Sequence, residues 1–123
     1  MNIPNGHQQV MPYMILDNAA AFIPFVQKAF DAQEIAVYRD DNGGIMHAEV
    51  RIAGVTIMFG SSTETWSAQT SGFYMYVENA DAAFQKALDC GASVVMPIEN
   101  KDYGRSGGVK DPCGNTWWLT QIL

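Results

Sequence analysis

The segment GIMHAEV, residues 44–50, sets His47 two residues before Glu49 in an otherwise apolar run. An imidazole and a carboxylate at that spacing could begin a metal site, act as an acid–base pair, or form a polar stripe on a strand. Residues two apart on a strand share a face and lie roughly 6.5 Å apart along it. That suits a shared surface better than a direct hydrogen bond, and it leaves Glu49 to pair with Arg51 or a cross-strand partner. A metal site would need more ligands. The other histidine, His7, is expected on a loose N-terminal tail. General acid–base work is open to an imidazole that a substrate can reach, so His47 and Glu49 are the catalytic candidates. Cys90 and Cys113 belong to no CxxC spacing and read as packing or turn residues. Arg105, in the glycine-containing stretch NKDYGRSGG (100–108), could meet an anionic group from a loop, although that stretch lacks the spacing of a phosphate loop. Trp66 sits in a polar segment, where it suggests a lid or an interface.

Composition narrows the classes. A net charge of −6 with scattered basic residues argues against nucleic acid as a partner. With 48% hydrophobic and 16% charged residues in 123, the chain suits one globular domain, 1–123. No apolar run approaches the roughly 18 residues that a membrane span needs, and MNIPNGHQQV lacks the marks of a signal peptide. Cytoplasmic location is the expectation.

The elements that must position these residues repeat. PYMILDNAAAF (12–22) resembles FYMYVENADAAF (73–84), with Tyr13, Met14, Asp17, Asn18 and Ala19 falling on Tyr74, Met75, Glu78, Asn79 and Ala80. Each copy is a short strand running into Asn, a good helix N-cap. Helices are expected from Ala19 to about Phe30 and from Ala80 to about Leu88, the second closed by Gly91. Pro24 should kink the first helix or delay its start. Strands follow at 34–40, 44–52 and 55–60, and at 93–98, 105–110 and 116–122, with turns at DDNGG (40–44), AG (53–54) and DPCGN (111–115). The organisation is therefore two βαβββ modules, 10–60 and 72–123, joined by a polar linker, 61–71.

In the stretches MPYMILDNAAAFIPFVQKAFDA (11–32), MHAEVRIAGVTIMFG (46–60) and YGRSGGVKDPCGNTWWLTQ (103–121), the chain resembles the vicinal oxygen chelate superfamily of glyoxalase I, bleomycin-resistance proteins and extradiol dioxygenases, and within it the PhnB-like branch. The resemblance covers nearly the whole chain. It implies an α+β fold in which paired βαβββ modules form a cup-shaped mixed sheet, completed in a homodimer, often with a divalent metal in the cup. The family's four ligand positions fall here on Met11, Met58, Gly72 and Trp118. None is His, Asp, Glu or Cys, and a thioether suits soft Cu(I) rather than the ions this family uses. No metal or other cofactor is therefore expected.

Strand alternation then assigns the faces. Met11, Tyr13 and Ile15, Thr56 and Met58, Gly72, Tyr74 and Tyr76, and Thr116, Trp118 and Thr120 should face the cup. So should Ile45, His47, Glu49 and Arg51, leaving Met46, Ala48, Val50 and Ile52 for the core. Tyr13, Met58, Tyr74, Tyr76, Trp118, Thr120, His47, Glu49 and Arg105 are the candidate ligand-binding residues. The leading reading is a metal-independent binding protein of the bleomycin-resistance type for an aromatic or amphipathic small molecule. The alternatives are a glyoxalase- or dioxygenase-like enzyme using an unrecognised metal or His47/Glu49, and a dimeric module whose cup Trp118 and Met58 fill.

Overall fold

The computed structural model describes residues 1–123 and contains two compact units, Met1–Thr70 and Ser71–Leu123. The first runs β1 (Tyr13–Leu16), a 3-10 turn (Ala19–Ala21), α1 (Phe22–Phe30), β2 (Gln33–Arg39), β3 (Ile45–Ile52) and β4 (Val55–Ser61). The second runs β5 (Gly72–Tyr76), α2 (Ala80–Asp89), β6 (Ser93–Lys101), β7 (Gly104–Lys110) and β8 (Thr116–Gln121). Each unit has a four-stranded mixed sheet, ordered β1-β4-β3-β2 and β5-β8-β7-β6, whose one parallel pair joins the first and last strands of the unit. This is the α+β, twice-repeated βαβββ architecture that the sequence predicts.

The first core forms where α1 lays Phe22, Phe25 and Val26 over the sheet against Met14, Leu16, Val50, Ile57 and Phe59. The Phe22 and Phe59 rings meet edge to face at 4.9 Å. Pro24 is the third residue of α1. Its missing N–H falls in the first turn, where no intrahelical acceptor exists, so the helix starts late instead of kinking. The two Asn caps diverge. Asn79 Oδ1 accepts from the Ala82 N–H at 3.0 Å, whereas the Asn18 side chain makes no such cap bond. In the second unit α2 buries the small Ala80 and Ala87, and Trp117 stacks on Phe73 with centroids 4.3 Å apart.

Turns fix the registers. Ala53 and Gly54 both take positive φ, 49° and 83°, which a two-residue hairpin between β3 and β4 requires. Pro97 lies in β6, at the edge of its sheet, where the pairing slips between Met96 and Glu99. A residue without an N–H is tolerated at such a place. In the first sheet a slip lies between Tyr38 and Arg39, which pair with His47 and Ile45, leaving Met46 as the extra residue of a bulge in β3. Bulges break strict alternation. Met46, expected in the core, is consequently 63% exposed. No helix of the chain is long and apolar enough to cross a membrane.

Candidate functional site

On the face of the first sheet away from α1, the register places Tyr13 of β1 beside Met58 of β4, and Met58 beside Glu49 of β3. Tyr13 does not stop at its neighbour. Its phenol crosses β4 above Gly60, where a Cβ would stand 3.7 Å from the Tyr13 oxygen, and reaches His47 Nδ1 at 3.2 Å. On its other side the His47 ring donates from Nε2 to Glu49 Oε2 at 2.9 Å. His47 and Glu49 thus make the direct contact that their spacing along the strand argued against. Both side chains are long enough to lean toward each other along the strand. Arg51 does not take the carboxylate. It donates to the Gly6 carbonyl at 3.2 Å and to Thr56 Oγ1 at 3.4 Å.

Glu49 holds a second imidazole. His7 Nε2 donates to its Oε1 at 2.7 Å, so the N-terminal segment is fastened here, contrary to the loose tail expected from sequence. Gly6 and Gln8 secure the same strap. Thr56 Oγ1 donates to the Gly6 carbonyl at 2.5 Å, and Gln8 Nε2 donates to the Thr56 carbonyl at 2.7 Å. The hydrogen bond from His47 above all, and that from His7, keep the Glu49 carboxyl below its ordinary value against the opposing effect of burial. An ionised Glu49 only accepts, so both Nε2 atoms carry hydrogen. In neutral His47 the Nδ1 lone pair then receives the Tyr13 hydroxyl proton. Glu49, His47 and Tyr13 form one chain from carboxylate to phenol, and Tyr38 lays its ring 6.0 Å from that of His47.

The chain opens at Tyr13, 50% exposed, into a cavity of about 590 Å³. Ile15, Ile45, Met46 and Trp66 form its apolar wall, and Asp40, Gly60 and Ser61–Thr63 also line it. The size lies within the range of small-molecule pockets. The segment 61–71 was expected to be a polar linker carrying Trp66 as a lid or interface residue. In the structure Gln69 pairs with Ile15 at the free edge of β1, and a turn from Thr63 to Trp66 brings the indole, 64% exposed, to the cavity wall. Of the residues named from sequence, Tyr13 lines this cavity and His47 and Glu49 stand behind it; Met58 lies beside them on the sheet without lining it. Sequence reasoning missed His7, Asp40, Tyr38 and the bulge that turns Met46 toward the cavity.

In the second unit Tyr74 pairs with Trp118, and Tyr76 with Thr120. Thr120 Oγ1 lies 2.8 Å from both the Tyr74 hydroxyl and Ser106 Oγ, making a chain of three hydroxyls. The Trp118 indole lies over Gly108, where a Cβ would meet the ring at 2.6 Å. Arg105 lies in β7, as the strand expected at 105–110 requires, and not in a loop over 100–108, because β6 and β7 extend to Lys101 and Gly104 and leave only a two-residue turn. Its guanidinium engages both Asp81 carboxylate oxygens at 2.7 and 2.9 Å and Asn100 Oδ1 at 3.0 Å. The DPCGN turn is organised by buried Asp111, which accepts from the Cys113 and Asn115 backbones, Asn115 Nδ2 and Trp117 Nε1. Burial, with Asp111 beside it, pushes the Cys113 thiol up to about 12.

A divalent metal does not fit the positions that the resemblance assigns. Met11 and Met58 offer thioethers, Gly72 has no side chain, and Trp118 presents an indole. The Met11 sulfur already accepts the Gln8 N–H at 3.4 Å.

Comparison with known proteins agrees with this architecture. The chain is 36% identical over 129 residues to the uncharacterised protein Mb0911c of Mycobacterium bovis, spanning 95% of this chain and 85% of that one. Three solved structures share the fold at lower identity. A PhnB protein from Bacillus cereus superposes with a TM-score of 0.72 at 20% identity, covering 94% of this chain and 100% of that one. The fosfomycin resistance protein FosX from Listeria monocytogenes gives 0.73 at 19%, covering 94% of each chain. TnmS3, an antibiotic binding protein from Streptomyces sp. CB03234, gives 0.69 at 17%, covering 95% and 100%. The model of the Glyoxalase/Bleomycin resistance protein/Dioxygenase superfamily matches residues 8–119, and the chain belongs to that superfamily.

Proposed function

We propose that the protein binds an aromatic or amphipathic small molecule without a metal, in the manner of the bleomycin-resistance proteins. The observation that carries this reading is the cavity of about 590 Å³ walled by Tyr13, Ile15, Ile45, Met46 and Trp66. Aromatic and aliphatic side chains supply its area and a few polar groups its orientation, the usual make-up of a ligand pocket. The antibiotic-binding relative of the same fold adds support. Tyr74, Tyr76 and Trp118 provide a second aromatic face, with Thr120 buried beneath Tyr74, and the reading extends to a homodimer, for which sedimentation at the mass of one chain would be decisive against. The test is a thermal-shift screen of aromatic amphiphiles on protein treated with a chelator, repeated on Trp66→Ala and Tyr13→Ala. Binding should survive chelation and weaken in both variants. Binding that vanishes on chelation, or that neither variant alters, rules the reading out.

A second reading has its own observation. The Glu49–His47–Tyr13 chain ends at the pocket wall, and such a chain can move a proton to or from a bound molecule. An enzyme of this kind would lose turnover in Tyr13→Phe while retaining ligand affinity.

A further inference from the structure

The cavity's polar groups are biased toward accepting hydrogen bonds, and this carries the proposed binding function to a ligand class. Asp40 is the charged residue of the lining. Its Oδ1 accepts the backbone N–H groups of Asn42 and Gly44 at 2.9 and 2.8 Å, which fixes the turn and leaves Oδ2 to a ligand. With Nε2 donating to Glu49, an uncharged His47 ring turns its Nδ1 lone pair to the Tyr13 hydroxyl and accepts its proton in that hydrogen bond. The phenol oxygen therefore presents lone pairs to the cavity. Ser62 is likewise committed, donating to Asp17 Oδ1 at 2.6 Å. The hydroxyls of Ser61 and Thr63 can turn either way. No Lys, Arg or His lines the cavity, and the nearby Arg39 turns its guanidinium to the Gly43 carbonyl at 3.0 Å. The exposed face of Trp66 suits a cation.

We propose that the pocket selects a cationic, hydrogen-bond-donating apolar molecule, such as an aromatic amine, over neutral and anionic molecules of the same skeleton. The ammonium group pairs with Asp40, and the Tyr13 oxygen accepts a second donor. The inference rests on the pocket being the binding site, so the experiment separates the two claims. Calorimetric titration at neutral pH would compare 1-naphthylmethylamine, 1-naphthylmethanol and 1-naphthoic acid, which share one ring system and differ in charge. The ammonium meets Asp40 as a full ion pair, where the alcohol offers only a neutral donor to the carboxylate, and this makes the amine roughly tenfold tighter than the alcohol, with the carboxylate weakest. Asp40→Asn keeps an oxygen for the two backbone N–H groups of the turn but removes the charge. It should erase the amine's advantage, bringing the amine and the alcohol within about twofold of each other. Trp66→Ala should weaken all three.

The outcomes divide cleanly. If the three probes bind in a manner that depends on Trp66 but with equal affinity, or with the carboxylate tightest, the ligand class is wrong and the pocket stands. An amine preference that persists in Asp40→Asn also overturns the class, since the protein's general negative charge would then be its cause. If none binds, or binding ignores Trp66→Ala, the pocket reading itself falls and the ligand class with it.

Discussion

Glu49→Gln tests the centre of the site. Glu49 accepts from two imidazoles at 2.7 and 2.9 Å, with the three side chains between 12% and 27% exposed. An amide retains one acceptor oxygen and replaces the other with a donating NH2 group, so it can hold only one of the two Nε2–H groups. The second imidazole must either leave or move its hydrogen to the other nitrogen. Hydrogen bonds to a charged acceptor contribute ~1.5–3 kcal/mol each. Losing one and neutralising the other, with partial recovery by water at these exposures, gives a destabilisation of about 2 kcal/mol. Urea unfolding of the two proteins at neutral pH measures it.

The same substitution has a signature in pH. Glu49 titrates in the folded protein below its ordinary value of 4.5. A carboxylate with a lowered folded pKa contributes fully above the unfolded value, and that contribution disappears as pH falls through the folded one. The stability gap between wild type and Glu49→Gln should therefore close across that acid range. Ring nitrogen shifts should show His47 protonated on Nε2 in the wild type and altered in the variant. A gap below about 0.5 kcal/mol at neutral pH, or one unchanged in acid, would refute the shared-carboxylate account.

The remaining consequences are simpler. Cys113, with its thiol pushed up to about 12, should react with iodoacetamide in a Cys90→Ser background at least tenfold more slowly than free cysteine at pH 8; equal rates would show that the thiol is not desolvated. Asp111→Ala strips the acceptor from two backbone N–H groups, the Asn115 amide and the Trp117 indole, and should cost about 3–5 kcal/mol in urea unfolding. Gly60→Ala sets a Cβ 2.6 Å from the Met46 carbonyl oxygen and should cost about 1–3 kcal/mol, with proton NMR showing Tyr13 displaced from His47.

The repeat, the succession of elements along each module and most side-chain faces were legible because strands alternate and turns carry their own chemistry. PYMILDN and FYMYVEN announce matching strand–helix entries, while Ala53-Gly54 and DPCGN announce the turns. Three features escaped for physical reasons. A bulge at Met46 is a property of pairing with β2, which the isolated β3 sequence does not encode. The docking of His7 depends on a long-range partner, Glu49, and on backbone groups of Gly6 and Thr56 that carry no sequence signal. The stretch Asn100–Gly108 was read as a loop, although a strand was also expected from Arg105, because it is rich in polar residues and glycine, yet β6 and β7 pair through most of it.

The two modules solve one geometry with different chemistry. By register, Tyr13, Gly60 and His47 occupy in the first module the places that Tyr74, Thr120 and Ser106 occupy in the second. In the second, Thr120 fills the gap between tyrosine and serine and joins them hydroxyl to hydroxyl. In the first, the gap is left empty by Gly60, and Tyr13 reaches through it to an ionisable ring backed by a carboxylate. A side chain at position 60 would meet the Met46 carbonyl as well as approach the phenol. The absence of a side chain at that position is therefore what permits a chain able to carry a proton in the first module, where the second has only hydroxyls.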